Sequence, residues 1–138
     1  MIYVLYGQPG SGKTTLGIKL AKHLDTPFII DGDEFREMFA NKNYGRAGRE
    51  ENIRNANAVA TYLNKKGKDG KWKAVYIQDE PNSWKNEGDV VEVLLCTDRL
   101  LRKEYHVDDF EPGNPVCILD TNKGIGDVWS RLIKDLEL

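Results

Sequence analysis

The sequence predicts an α/β fold in which a mainly parallel five-stranded sheet lies in three layers between helices. Two observations predict it. Short apolar runs at 2–6, 28–30, 74–77, 90–96 and 116–119 alternate with segments of helical period. The first run leads through Gly7-Gln8-Pro9-Gly10-Ser11-Gly12-Lys13-Thr14 into a segment where Leu16, Leu20, Ala21 and Leu24 recur at helical spacing. That octet fits G-x-x-x-x-G-K-[ST] without mismatch, and strand, loop and helix together form the setting of a phosphate-binding loop, or P-loop. The fold class is therefore that of the P-loop NTPases.

The loop has a physical reading. Glycines let backbone N–H groups turn around phosphate oxygens. A helix N-terminus adds unpaired donors and partial positive charge. Gly7, Gly10, Ser11, Gly12, Lys13, Thr14 and Thr15 form the expected binding set for ATP. Lys13 reaches the β- and γ-phosphates and the Thr14 hydroxyl ligates Mg²⁺. A bare glycine turn between strand and helix would need neither the lysine nor the threonine.

The remaining elements follow in order. The first helix ends near Leu24, before Asp25-Thr26-Pro27. A short second strand, Phe28-Ile29-Ile30, runs into Asp31-Gly32-Asp33, and a short helix from about Asp33 carries Phe35, Met38 and Phe39 on its apolar side. Residues 41–48 read as a loop. A longer helix from about Arg49 places Ile53, Ala56, Ala60 and Leu63 on one face and ends at the basic stretch 65–71. Ala74 to Ile77 is the third strand, Val90 to Cys96 the fourth and Val116 to Leu119 the fifth. Only about ten residues join the third strand to the fourth, short for a parallel crossover. A single helical turn around Ser83-Trp84-Lys85 would close it. The last helix has the clearest stripe: Ile125, Val128, Trp129, Leu132, Ile133 and Leu136.

With 138 residues, 40% hydrophobic and 30% charged, the chain suits one soluble domain spanning 1–138. A net charge of −2 gives no global field for nucleic acid or membrane, so neither is favoured as a partner, although Lys65 to Lys73 form a local basic stretch. There is no secretory signal pattern and no apolar run of membrane-spanning length. Cys96 and Cys117 lie in strand-like runs without metal-ligand spacing and read as buried free thiols, which fits a cytoplasmic location.

Phosphoryl transfer needs a Mg²⁺ partner and a group to orient or deprotonate the accepting hydroxyl. Asp31 and Asp33 directly follow a strand, and Gly32 between them lets the backbone turn both carboxylates toward the phosphate side. One holds Mg²⁺ through water and the other takes the acceptor proton. Asp33 also suits a plain helix cap. Asp79, after the third strand, is a rival magnesium-side aspartate, and Asp120 suits stabilisation of the turn into Thr121-Asn122.

The ordered set of P-loop, Asp31-Gly32-Asp33-Glu34-Phe35-Arg36, Tyr44, and Arg49-Glu50-Glu51-Asn52-Ile53-Arg54 resembles the adenylylsulfate kinases (APS kinases). The match is close through Ile53. It continues more loosely through Asp108-Asp109-Phe110-Glu111-Pro112, Asn114-Pro115 and Leu119-Asp120-Thr121. The resemblance implies transfer of the γ-phosphate of Mg-ATP to the 3′-hydroxyl of adenosine 5′-phosphosulfate. It implies that Arg36 and Arg49 grip the phosphosulfate, that Asn52 adds a polar contact beside Ile53, and that Tyr44 offers a stacking face. Ile53 itself reads as core, and Arg49 and Arg54 also suit an exposed helix face paired with Glu50 and Glu51.

Two departures bear on the acceptor. The family's Ser-Pro-Tyr-Arg stretch after the third strand is here Gln78-Asp79-Glu80-Pro81-Asn82, and the basic lid shrinks to about 97–107. Arg99, Arg102 and Lys103 retain lid charge, and Tyr105 stands near the place of a second stacking aromatic. Three functions are thus open: an APS kinase, whose homodimerisation is left open; a related small kinase acting on another hydroxyl, such as a modified nucleoside, a nucleotide or a nucleic-acid end; and a non-catalytic ATP-binding module. The carboxylate pair argues against the last, since binding alone needs no base.

Overall fold

The computed structural model describes residues 1–8, 10–66, 72–78, 90–97 and 113–138. Five strands and four helices are arranged as β1 (Ile2–Tyr6), α1 (Lys13–His23), β2 (Ile29–Asp31), α2 (Gly32–Met38), α3 (Arg46–Lys66), β3 (Ala74–Gln78), β4 (Val90–Cys96), β5 (Cys117–Asp120) and α4 (Ile125–Asp135). The strands form one parallel sheet in the order β2-β3-β1-β4-β5. This is the P-loop NTPase sheet. β1 lies at its centre and is buried throughout, as an apolar strand covered on both faces should be.

Side-chain alternation along the strands sorts the core into two layers. Tyr3, Leu5, Val75, Ile77, Val93, Leu95, Cys117 and Leu119 pack against Leu16, Leu20 and Ala21 of α1 and against Val128 and Leu132 of α4. Ile2, Val4, Tyr6, Ile30, Ala74 and Tyr76 pack on the opposite face against Phe35 of α2 and Ala56 and Ala60 of α3. The three-layer reading therefore holds. β3 and β4 flank β1 in parallel, and residues 79–89 lie between them in the chain. The residues themselves, with the turn expected at 83–85, lie outside the described set.

Several local expectations change. α3 starts at Arg46 rather than Arg49. Of the three aromatic and methionine positions expected on the apolar side of α2, only Phe35 is buried; Met38 and Phe39 are exposed, with Phe39 stacked on Phe35. α2 has only seven residues and cannot present two turns to the core. Cys96, the last residue of β4 and still paired with Asp120 of β5, is exposed, while Cys117 is buried. Ile125, at the first position of α4, is exposed, and Trp129 is only partly buried, its outer side meeting Lys19 and His23 of α1. No helix among the described residues is long and apolar enough to cross a membrane.

Three helices end on a non-glycine residue in the left-handed region: Asp25 after α1, Ala40 after α2 and Glu137 after α4. Each carries the paired closing bonds of a Schellman turn, for example Asn41 N to Arg36 O at 2.9 Å and Ala40 N to Glu37 O at 3.2 Å. A Cβ at that conformation costs roughly 1 kcal/mol. Ala40 is exposed and carries no other side-chain interaction to lose, so Ala40→Gly should raise the unfolding free energy by up to about 1 kcal/mol in a denaturant titration. An unchanged midpoint would contradict this.

Burial, with Asp135 beside it at 3.4 Å, pushes the Cys117 thiol from an ordinary 9.0 up to about 12. Burial and then Glu92 push Tyr6 from 10.0 to about 12. Both groups keep their proton in the folded state at a pH where the unfolded chain has lost it, so stability falls as pH rises. The fall should begin near pH 9 and continue toward 12; in Cys117→Ala its onset should move up to about 10, read from thermal unfolding across alkaline pH.

Candidate functional site

The parallel sheet brings the chemistry-bearing residues to the ends of three adjacent strands. Tyr6, the last residue of β1, pairs with Gln78 of β3, and Asp31, the last of β2, pairs with Ile77. Two strand spacings, roughly 10 Å, separate the loop after β1 from the carboxylate ending β2. In such sheets ligands bind beyond the carboxyl ends of the strands.

The loop after β1 is held open by its glycines. Gly10 and Gly12 have φ of 84° and 91°, where a side chain would be strained. A Cβ on Gly7 would lie 2.4 Å from the Leu95 carbonyl of β4, so the loop rests directly on the neighbouring strand's backbone. Gly12 is the N-cap of α1. No side chain caps this helix and its first turn holds no acidic residue. The cap residue thus supplies no side-chain acceptor to the first N–H groups of α1, which suits an anion-binding helix start. The Lys13 ammonium is buried and donates to the carbonyls of Gly7 at 2.7 Å and Gln8 at 3.2 Å. Ser11 is fully buried and its Oγ has no hydrogen-bond partner among the described residues. Thr14 and Thr15 are exposed on the first turn. An orphaned buried hydroxyl, an uncapped helix and a lysine already inside the loop fit a phosphate group.

The second cluster is built differently. The Asp31 carboxylate caps α2, accepting from Asp33 N at 2.9 Å. Asp31, not Asp33, is therefore the cap, and Asp33 stands exposed in the first turn. Gly32 is not in the left-handed region, so the turn between the two does not depend on glycine. Asp31 and Thr14 each offer oxygen, the donor type that suits Mg²⁺, which otherwise keeps waters and takes substrate phosphates. Among the described residues no group of three or more His, Cys, Asp or Glu could hold a metal.

Arg36 and Tyr44 come together. The guanidinium lies 4.4 Å from the Tyr44 ring centre, and Nη1 donates to Asn43 O at 3.0 Å and to Asn41 O and Oδ1 at 3.4 Å each. Asn41 closes the same loop by donating to Gly48 O at 2.8 Å. Tyr44 remains 60% exposed. Asn52 is buried and donates to Gly32 O at 3.0 Å, while its Oδ1 has no partner among the described residues. Ile53 is core; its carbonyl receives the buried Tyr76 hydroxyl at 3.5 Å. Arg49 is half-buried with a buried Nε, and Arg54 is exposed. Arg46 pairs with Glu50 on the surface of this helix at 3.1 Å. Asp120 does stabilise its turn, accepting from Asn122 N at 3.0 Å. Asp79, Arg99, Arg102, Lys103 and Tyr105 lie outside the described residues.

Three residues that sequence reasoning passed over matter here: Gln78, Asn41 and Gly48. A Cβ on Gly48 would sit 1.8 Å from Asn43 O. Only the three-dimensional approach of the loop to α3 reveals that requirement.

The AAA domain model AAA_17 matches residues 6–103. The adenylate kinase of Thermoanaerobacter sp. (strain X514) is 41% identical over 51 residues, 36% of this chain and 24% of that enzyme. The chain thus spans about a quarter of the length of such curated relatives. The APS kinase of Mycobacterium tuberculosis in complex with AMPPNP and APS superposes with a TM-score of 0.73 at 22% identity, covering 99% of this chain and 97% of that one. The shikimate kinase of Bacteroides thetaiotaomicron superposes with a TM-score of 0.67 at 21% identity, covering 100% and 99%. These structural likenesses carry the fold.

Gly48→Ala should destabilise the protein by about 1–3 kcal/mol, since the 41–45 loop must move off α3. Gly126→Ala in α4 is the control: a Cβ there meets nothing within 4 Å, so urea titration should show no loss. Equal behaviour of the two variants would contradict the packing assigned to Gly48.

Proposed function

We propose, from the premise that the chain belongs to the AAA domain family AAA_17, that it is a small P-loop kinase moving the γ-phosphate of Mg-ATP to a hydroxyl of a small anionic acceptor, with adenosine 5′-phosphosulfate the leading acceptor. The observation that carries this reading is the pairing, at one end of the sheet, of an uncapped P-loop helix with a self-capped carboxylate pair. The first offers donors to phosphate. The second offers a base and a metal-side carboxylate.

Backbone N–H groups from Gly10 to Thr15 bind the phosphate oxygens, and Lys13 exchanges the Gly7 and Gln8 carbonyls for them. Thr14 and Asp31 would hold Mg²⁺, which when bound neutralises charge developing between the β- and γ-phosphates. Asp33 accepts the proton of the acceptor hydroxyl. The acceptor oxygen bonds to the γ-phosphorus as the bond to the β-phosphate oxygen breaks, and ADP departs with that electron pair. Arg49 and Asn52 hold the acceptor; Arg36 sets the Tyr44 ring against which a base can stack. Arg99 and Arg102 are further candidates to supply charge to the phosphates.

The order of Asp31-Gly32-Asp33, Arg36, Tyr44 and Arg49 to Arg54, together with the likeness to the APS kinase fold, supports adenosine 5′-phosphosulfate. A second reading, a kinase for another hydroxyl, is favoured by one observation: Arg36 donates to the carbonyls of its own loop. A non-catalytic ATP-binding module is the outcome if ATP binds but no acceptor turns over.

The test is ADP release with magnesium, with and without adenosine 5′-phosphosulfate. Turnover should depend on the acceptor, and Asp33→Asn should lower it by about 10²-fold or more while ATP affinity holds. Lys13→Ala should abolish tight ATP binding. Turnover unchanged in Asp33→Asn would remove that residue from the chemistry. ATP binding without turnover would discard this acceptor.

A further inference from the structure

The end of β3 carries a buried polar group that none of the preceding assignments uses. Gln78 is 7% exposed, and its Oε1 has no hydrogen-bond partner among the described residues. Asn52 is 8% exposed and its Oδ1 is in the same condition. A buried acceptor without a donor is destabilising, and native folds keep few of them.

The two amides belong to one place. Gln78 is two residues beyond Tyr76, so its side chain leaves the same face of the sheet, the one covered by α3. α3 runs antiparallel to β3: Ile53, near its start, meets Tyr76, while Asn64, near its end, meets the Met1 amino group where β1 begins. The residues of α3 beside the end of β3 are therefore those just before Ile53, Asn52 among them. Gly32 fixes the position independently. A Cβ built there would be 3.5 Å from the Ile77 carbonyl, which is bonded to Gln78 N, and 3.6 Å from Asn52 Nδ2. Gln78 is also the register partner of Tyr6, the residue immediately before the P-loop.

We infer that Gln78 determines acceptor specificity: with Asn52 it accepts hydrogen bonds from hydroxyls of the phosphoryl acceptor, which is therefore a polyhydroxylated anion. This rests on the kinase reading above and narrows it. Two amide oxygens can take donors only. They repel the oxygens of a carboxylate, phosphate or sulfate, so the anionic part of the acceptor lies toward Arg49 and its hydroxyl-bearing part lies toward β3. A site built to receive a hydroxyl rejects analogues lacking it far more strongly than a hydrophobic pocket rejects a missing methylene. Gln78 acts through binding and touches no reacting bond.

The experiment compares matched ligands by thermal shift on the full chain with magnesium and a non-hydrolysable ATP analogue. One pair is adenosine 5′-phosphosulfate and its dideoxyribose analogue; the other is shikimate and cyclohexenecarboxylate. At least one hydroxylated member should bind about tenfold or more tightly than its stripped counterpart. In Gln78→Met that preference should collapse, with ATP-analogue affinity unchanged and the ligand-free melting temperature equal or higher, because an unsatisfied buried oxygen has been removed. A merely structural glutamine would instead lower the melting temperature on substitution. The inference is overturned if neither pair shows the preference, if Gln78→Met keeps it, or if the melting temperature falls along with ATP-analogue binding. Retained ATP-analogue binding with no hydroxyl preference would overturn this inference and leave the P-loop reading standing; loss of nucleotide binding in the unsubstituted protein would overturn both.

Discussion

The donors at the start of α1 have no acceptor supplied by a side chain of their own helix, and the site depends on that. Gly12 cannot cap, and the first turn offers no carboxylate. The position of those donors is fixed from beneath. β1 is buried on both faces, and Gly7 lies so close to Leu95 O that no side chain fits between them. The sheet therefore aims the loop. The buried Lys13 ammonium is stabilised by two loop carbonyls, which a charge out of water requires. Those carbonyls occupy the lysine in the way phosphate oxygens would, so phosphate binding is an exchange of acceptors rather than a desolvation from bulk water.

The contrast with α2 shows that the lack of a cap is local. Two strands away, Asp31 satisfies the start of its helix, and the Asn41, Asn43 and Gly45 loop closes on itself through side-chain bonds of 2.8–3.0 Å. At the opposite end of the sheet, Thr26 donates to Lys73 O and Met1 to Asn64. The buried oxygens of Ser11, Asn52 and Gln78 that have no partner among the described residues all fall at the C-terminal ends of the strands. Each such group costs about 1–3 kcal/mol in a folded protein that gains nothing from it. Their shared location is the mark of a surface shaped for a polar ligand.

Much of this was legible in the sequence. The five apolar runs, the P-loop octet and the stripe of α4 depend on local composition and period, which folding preserves. The acidic pair was legible as a pair. Which member caps was not, because Asp31 and Asp33 both precede helical residues and only backbone geometry separates them. Met38 and Phe39 were misread because a seven-residue helix has too little length to bury a full stripe. Helix ends at Ala40 and Glu137 lack the glycine that usually signals them. Gln78 was legible only as the first residue of the stretch that departs from the family pattern, and its burial was not. A glutamine at the end of an apolar run reads as the place where a strand meets solvent, and its burial follows from the register with Tyr6 and the cover of α3, which are long-range facts.

The two halves of the site hang from different layers. The phosphate half belongs to β1 and α1, whose core is the layer shared with α4. The proposed acceptor half belongs to α2, α3 and the α3-facing side of β3, whose core is the other layer. Among the described residues, they meet through the sheet, while the bond from Asn52 to the Gly32 carbonyl ties α3 to α2 within the acceptor half. Substitutions on α3 or at the end of β3 can therefore reshape the proposed acceptor pocket without disturbing the stacking of α1 on the sheet or the left-handed turns at Gly10 and Gly12. That separation is a physical reason for one fold to keep its phosphate grip while its acceptor changes. On the proposed reading, the residues that decide the acceptor are those whose polar atoms are buried on the α3 side and have no partner among the described residues.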